Sequence, residues 1–184
     1  MPEIPEFEVV LYPDPVLRKV ADPVGGFGEE LRSVVAGMFA RMRKSKGVGL
    51  AAPQVGLRQR ILVLNPTGNE EDDLVLVNPT IVSRAGDRTV FDEGCLSFPG
   101  IYAEISRPDR CTVKSVDLAG VPIENEYSGF TSRIIQHEYD HLEGVLLVDR
   151  MSPAEKLKHK AALEELVGRY KRASPPANAA ARRG

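Results

Sequence analysis

Apolar residues along the chain change period from segment to segment, and each period predicts an element. Phe27, Leu31, Val34, Val35, Met38 and Met42 recur at threes and fours, while Glu29, Glu30, Arg32, Arg41 and Arg43 fall on or beside the other face. That is an amphipathic helix, and acids at its start with Arg41, Arg43 and Lys44 at its end suit the helix dipole. Before it, Pro2, Pro5, Pro13 and Pro15 forbid a regular helix and leave an extended arm, with a short strand expected at residues 9–11. After it, residues 47–54 are small and nearly uncharged and read as irregular or extended chain. Residues 61–64 and 74–77 are β-branched-rich runs, each closed by Asn-Pro with a polar turn between, which predicts an antiparallel hairpin. Residues 89–97 predict another extended segment. Residues 111–117 alternate Cys111, Val113 and Ser115 against Thr112, Lys114 and Val116, with the inward face left open, before Ala119-Gly120 turns the chain toward residues 121–123.

Helical spacing returns with Phe130, Ile134, His137 and His141, and Gly144 is placed to end that helix. Ser152-Pro153-Ala154-Glu155 then offers an N-cap serine, a proline at N1 and a glutamate at N3. They precede Leu157, Ala161, Leu163, Leu166, Val167 and Tyr170, a third helix. Beyond Tyr170 the acids vanish and Lys171, Arg172, Arg182 and Arg183 surround an Ala/Pro-rich stretch. The expected organisation is one domain over residues 1–172 and a flexible basic tail over 173–184.

Composition narrows the partners. With 24 Lys+Arg against 26 Asp+Glu the formal charge is -2, without the basic excess of a dedicated nucleic-acid binder. Two cysteines fit a reducing compartment. Without a basic n-region or a long apolar run, a cytoplasmic protein with no membrane association is expected.

Two of the three histidines lie in Gln136-His137-Glu138-Tyr139-Asp140-His141. Residues four apart share a helix face, so both imidazoles can approach one ion while Glu138 sits beside its open coordination position. The other reading is an amphipathic helix whose histidines happen to fall at that spacing. A catalytic site needs a third ligand that leaves room for water. His159, between Lys158 and Lys160, reads as solvent-facing. Cys95, in Glu93-Gly94-Cys95-Leu96-Ser97, is the better candidate, because this loop leaves backbone N–H groups to point at a ligand; a buried structural thiol is the alternative. Cys111 reads as a core residue. A thiolate and two neutral imidazoles suit zinc, cobalt, nickel or ferrous iron, and the residues do not choose among them. Gln54 offers an amide donor for a developing oxyanion, although an ordinary turn glutamine fits its local sequence equally well.

In combination, Gly47-Val48-Gly49-Leu50-Ala51-Ala52-Pro53-Gln54, Glu93-Gly94-Cys95-Leu96-Ser97 and Gln136-His137-Glu138-Tyr139-Asp140-His141-Leu142-Glu143-Gly144 resemble the three motifs of the bacterial-type peptide deformylases, in that family's order. The resemblance implies an α+β fold with antiparallel strands around a central metal-binding helix. It also implies hydrolytic removal of the N-formyl group from the formylmethionine of new polypeptides, with release of formate. Its metal ligands map to Cys95, His137 and His141, its general acid/base to Glu138, and its oxyanion donors to the Gln54 side chain and the Leu96 backbone N–H. Fe2+ is the ion it implies, with Zn2+, Ni2+ or Co2+ in isolated members. The substrate is expected to pair with the backbone of Gly47, Val48 and Gly49 as an added strand. Its methionine is expected in a pocket bordered by Val48, Phe130, Ile134 and His137. Tyr102 stands where some members place an arginine near the substrate backbone, and Arg107 and Asp140 match positions of a supporting ion pair. Expected partners are nascent N-formylmethionyl peptides and, from that role and the tail's charge, a transient ribosome contact. Two rivals are a closed structural metal site, against which Glu138 and Gln54 argue, and a zinc endopeptidase that needs no formyl group.

Overall fold

The structure, a computed structural model, describes residues 3–173. Five antiparallel strands follow one another in space as in sequence: β1 (Gly49–Ala51), β2 (Ile61–Leu64), β3 (Leu74–Gly94), β4 (Tyr102–Val116) and β5 (Pro122–Ser128). The helices are α1 (Glu29–Lys44), α2 (Gly129–Leu142), α3 (Leu147–Arg150), α4 (Pro153–Lys158) and α5 (Lys160–Ala173). The expected α+β architecture is therefore present.

Strand β2 explains the layering. All four of its residues are buried, and alternate side chains leave opposite faces of the pleat. Ile61 and Val63 join Leu31, Val35, Met38 and Met42 of α1, whereas Leu62 and Leu64 join Ile134, Ile135 and Leu142 of α2. A strand covered on both faces reads as an unbroken apolar run, and each such side chain contributes roughly 1.5–3 kcal/mol. A third cluster, including Leu17, Phe98, Ile101, Leu146, Leu147 and Leu166, ties the C-terminal helices to the loop that follows Gly94.

Several expectations need correction. Residues 9–11 form no strand; instead Val10 donates one bond to Gln54 O (2.7 Å) and Tyr12 one to Ser97 O (2.9 Å), which pins the arm to two loops. The predicted hairpin exists, with Ile61 opposite Val77. Asn78-Pro79 does not end its second strand, because a register shift between Val77 and Thr80 absorbs the proline while Asn78 turns through φ +51. Residues 89–94 are thus the far end of the same strand. In β4 the inward face is that of Cys111, Val113 and Ser115. Phe27 lies ahead of α1 and is exposed.

The third predicted helix is two, α4 and α5, broken at His159, and Leu157 is 74% exposed. Ser152 caps α4 by accepting from Glu155 N–H (3.2 Å), but the Glu155 carboxylate accepts a tertiary bond from Glu104 N–H (3.0 Å). His159 does not face solvent: its side chain is largely buried, with Nε2 3.5 Å from Glu155. Helix α5 runs through Ala173, and the rest of the expected basic tail lies outside the described residues.

Candidate metal centre

Helix α2 passes through the core, with Ser132 to Glu138 buried without a break. Its period puts His137 and His141 on one face, and β3 ends opposite them at Gly94. A Cβ on Gly94 would lie 2.7 Å from the Tyr102 ring, so glycine here lets that ring pack against the chain where it enters Cys95. The structure brings one ligand atom each from Cys95, His137 and His141 within 4.8 Å of one another, with Cys95 Sγ 3.3 Å from His141 Nε2. A cleft of about 300 Å³ opens beside them, lined by Gly47, Val48, Gly49, Leu96, Tyr102 and Glu138 among others. One sulfur and two imidazoles around an open side fit a divalent ion with a free position.

Of the two imidazoles, only His137 is oriented from behind, since His141 Nδ1 is buried without a hydrogen-bond partner among the described residues. His137 Nδ1 lies 3.1 Å from Glu93 Oε2, which leaves its other ring nitrogen for the site. Burial alone would lower the His137 pKa, but its hydrogen bonds with Cys95 and Glu93 hold it well above the ordinary value. Burial, with the charges of His137 and Arg107, pushes His141 well below; both imidazoles bind an ion in the neutral form, so ion binding would release the proton that His137 keeps without it. Glu93 also accepts from Arg107 (2.7 and 2.9 Å) and from Arg133 (2.7 Å). Burial pushes the Glu93 carboxyl up, yet the bonds from His137 and Arg107 prevail and hold it at about 2. Arg107 in turn lies 2.9 Å from Asp140, which also accepts from Arg150 (2.6 Å).

Glu138 is buried, its Oε2 has no hydrogen-bond partner among the described residues, and burial lifts its carboxyl to about 7. It faces β1: a Cβ on Gly49 would meet Glu138 Oε1 at 2.5 Å. Gln54 closes another side. Its Oε1 accepts from Ala51 N–H (2.9 Å), which turns Nε2 toward Ser97 Oγ (3.3 Å) and Cys95 Sγ (3.5 Å). Leu96 follows Cys95 and lines the same cleft.

Among the described residues strand β1 pairs with β2 alone and forms an edge of the sheet, with Gly47 and Val48 just before it. Val48, Phe130, Ile134 and His137 border a second pocket of about 140 Å³ together with Phe91 and Arg133. Tyr102 stands 63% exposed on the cleft wall. Sequence reasoning missed Glu93, Ser97, Arg133 and Arg150 as parts of this site. Arg133 had a signal, since it is four residues before His137 on the same helix face. Glu93 and Ser97 had one too, as the first and last residues of the Glu93-Gly94-Cys95-Leu96-Ser97 motif, although the motif does not say which groups Glu93 binds.

The family profile described as polypeptide deformylase matches residues 7–157. The chain is 45% identical over 150 residues to peptide deformylase 1B, chloroplastic, of Oryza sativa subsp. japonica, covering 80% of this chain and 56% of that one. It is 42% identical over 166 residues to peptide deformylase of Thermotoga maritima, covering 90% and 99%. A crystal structure of peptide deformylase from Plasmodium falciparum superposes with a TM-score of 0.89 at 40% identity, covering 91% of this chain and 99% of that one. The chain spans little more than half the length of the plant relatives, and nearly all of the Thermotoga one. The matches include bacterial and plant organellar proteins, so the narrower expectation of a bacterial type is not distinguished.

Proposed function

The chain belongs to the polypeptide deformylase family, and from that premise we propose that it hydrolyses the N-formyl group from the formylmethionine of nascent polypeptides. The observation that carries the reading is the convergence of Cys95, His137 and His141 within 4.8 Å, with Glu138 on their open side. A divalent ion held by these three would polarise the formyl oxygen and acidify a water. Glu138 accepts the proton of the attacking water and returns it to the methionine nitrogen as the C–N bond breaks, leaving formate and a free amine. A carboxyl at about 7 suits both transfers near neutrality. Gln54 Nε2 and the Leu96 N–H donate to the oxygen on which charge develops, and the Ala51 bond prevents the amide from presenting its own oxygen. The backbone of Gly47, Val48 and Gly49 pairs with the extended peptide, and the pocket of Val48, Phe130, Ile134 and His137 takes the methionine. Arg107 and Asp140 hold the ligand helix against β4.

We assign Fe2+ as the working ion on the family resemblance and the mixed thiolate and imidazole donors; Zn2+, Ni2+ and Co2+ fit the same donors. Action in the cytoplasm and a transient ribosome contact through the basic tail are parts of the same proposal. No helix among the described residues is long and apolar enough to cross a membrane. The test is formate release from formylmethionyl peptides by anaerobically prepared, metal-analysed protein. Turnover that depends on the formyl group supports the reading, and cleavage of internal peptide bonds without it points to an endopeptidase.

A further inference from the structure

Lys46 ends α1 in a conformation that favours glycine. It stands at φ +56, with its N–H on Arg43 O (2.9 Å) and the next N–H, of Gly47, on Met42 O (3.0 Å). These two bonds make the left-handed helix stop in which glycine is the unstrained residue and a Cβ is crowded. The lysine side chain is exposed and lines the metal cleft beside Gly47, Val48 and Gly49. Among the described residues the lysine ion pairs belong to Lys114, Lys158 and Lys160, so the Lys46 ammonium compensates no carboxylate of its own chain. Of the other ionisable groups on the cleft wall, Cys95, His137 and Glu138 sit at its metal end and Tyr102 is a phenol, so among the described residues no second ammonium or guanidinium shares the cleft. Asp92 is exposed but lines the adjoining pocket read as the methionine site.

The direction of the peptide follows from the glycines. Gly49 lies against Glu138, so the reacting formyl end sits at Gly49. A peptide paired with the free edge of β1 then runs back toward Gly47, antiparallel to the strand, and its second or third residue comes alongside Lys46 at about 3.3 Å of rise per residue. We propose that Lys46 is a specificity-determining residue, which favours formylmethionyl peptides carrying Asp or Glu at the second or third position. Among the described residues the Lys46 side chain makes no ion pair or hydrogen bond that would offset the strained backbone, and the cleft is where the side chain acts. This inference rests on the deformylase reading of the cleft.

The test compares wild type, K46G and K46E at equal metal content. Substrates are formyl-Met-Glu-Glu, formyl-Met-Ala-Ala and formyl-Met-Lys-Lys amides, followed by formate release; binding of the corresponding unformylated peptides is measured by calorimetry. Wild type should favour the acidic over the basic peptide about two- to fivefold in kcat/KM and in Kd, the range of an exposed ion pair, with the preference fading at high salt. K46G should lose the preference while its Tm rises by about 2–4 °C, because glycine relieves the backbone. K46E should reverse the preference. Equal handling of acidic and basic peptides by wild type, or a preference that persists in K46G, overturns the inference. Acid-selective binding without formate release leaves Lys46 assigned and overturns the deformylase reading instead.

Discussion

On the α2 wall of the cleft, a chain of charged groups stands behind the site, His137 held by Glu93, Glu93 by Arg107 and Arg133, Asp140 by Arg107 and Arg150, while Glu138 Oε2 is left without a partner among the described residues. On the β1 wall the chain presents backbone, two glycines and exposed Val48. The first wall must fix the direction of donors to a fraction of an ångström, which a buried charged network does because a misplaced member leaves a charge unpaired. In the proposed function the second wall would accept many peptide sequences, which strand pairing allows because every residue carries the same backbone groups. Substitutions should therefore change the rate on the first wall and selectivity on the second.

The largest expected effect is that of Glu138→Gln, which keeps size and removes the proton acceptor. Formate release should fall about 10³-fold with metal still bound. Near-normal turnover by a metal-loaded variant would remove Glu138 from its assigned role. Gln54→Ala should lower kcat about 10²-fold with a smaller change in KM, because its donor acts on developing charge; an effect confined to KM would mean that it merely binds substrate.

Cys95→Ser should weaken ferrous iron binding about 100-fold or more, by replacing a soft thiolate with a weakly acidic hydroxyl. Cys111→Ser should leave metal stoichiometry intact, since that thiol is buried in the α2 core cluster beside Ser132. Equal iron loss from both folded variants, measured by metal analysis, would erase the difference between ligand and core cysteine.

Gly49→Ala is the substitution that breaks the division between the walls. Its Cβ would meet Glu138 Oε1 at 2.5 Å and Ile134 Cγ2 at 2.7 Å, so a change on the β1 wall displaces the carboxyl proposed as proton carrier. We expect about a tenfold loss in kcat, and an unchanged kcat would show that Glu138 has room to move.

The smallest effect is on acid stability. A carboxyl depressed on folding contributes stability that is complete above its unfolded value and is lost as pH falls through its folded value. Glu93 is lowered from 4.5 to about 2, so metal-free protein should lose this contribution progressively across that interval. The urea midpoint of Glu93→Gln should be lower at neutral pH and fall less steeply over the same range; parallel curves would contradict the depressed carboxyl.

Local order along the chain accounts for much of the fold. The period of 3.6 in α1 and α2, the two apolar runs of the first hairpin and the Ser152 cap are local features, and all are legible from neighbours in sequence. The break at His159 was not, nor was the bond that the Glu155 carboxylate accepts from Glu104, a strand residue 51 positions away. Nor was the continuity of β3 through Pro79, since a bulge is defined by the partner strand.

The site divides along the same line. Helical spacing by itself brings His137, Glu138 and His141 together, and three ordered motifs name Cys95 as their companion. What the tertiary structure decided is direction and charge state. Gln54 aims its amide nitrogen at the site only because Ala51 N–H occupies its oxygen, and Glu138 reaches about 7 only because the sheet and helices exclude water from it. Glu93 is only the first residue of its motif, with no partner named, until β4 and α2 bring Arg107, Arg133 and His137 around it. Identity and spacing are properties of the chain, whereas hydrogen-bond direction and desolvation arise between segments far apart in sequence, and those exist only once the fold has formed.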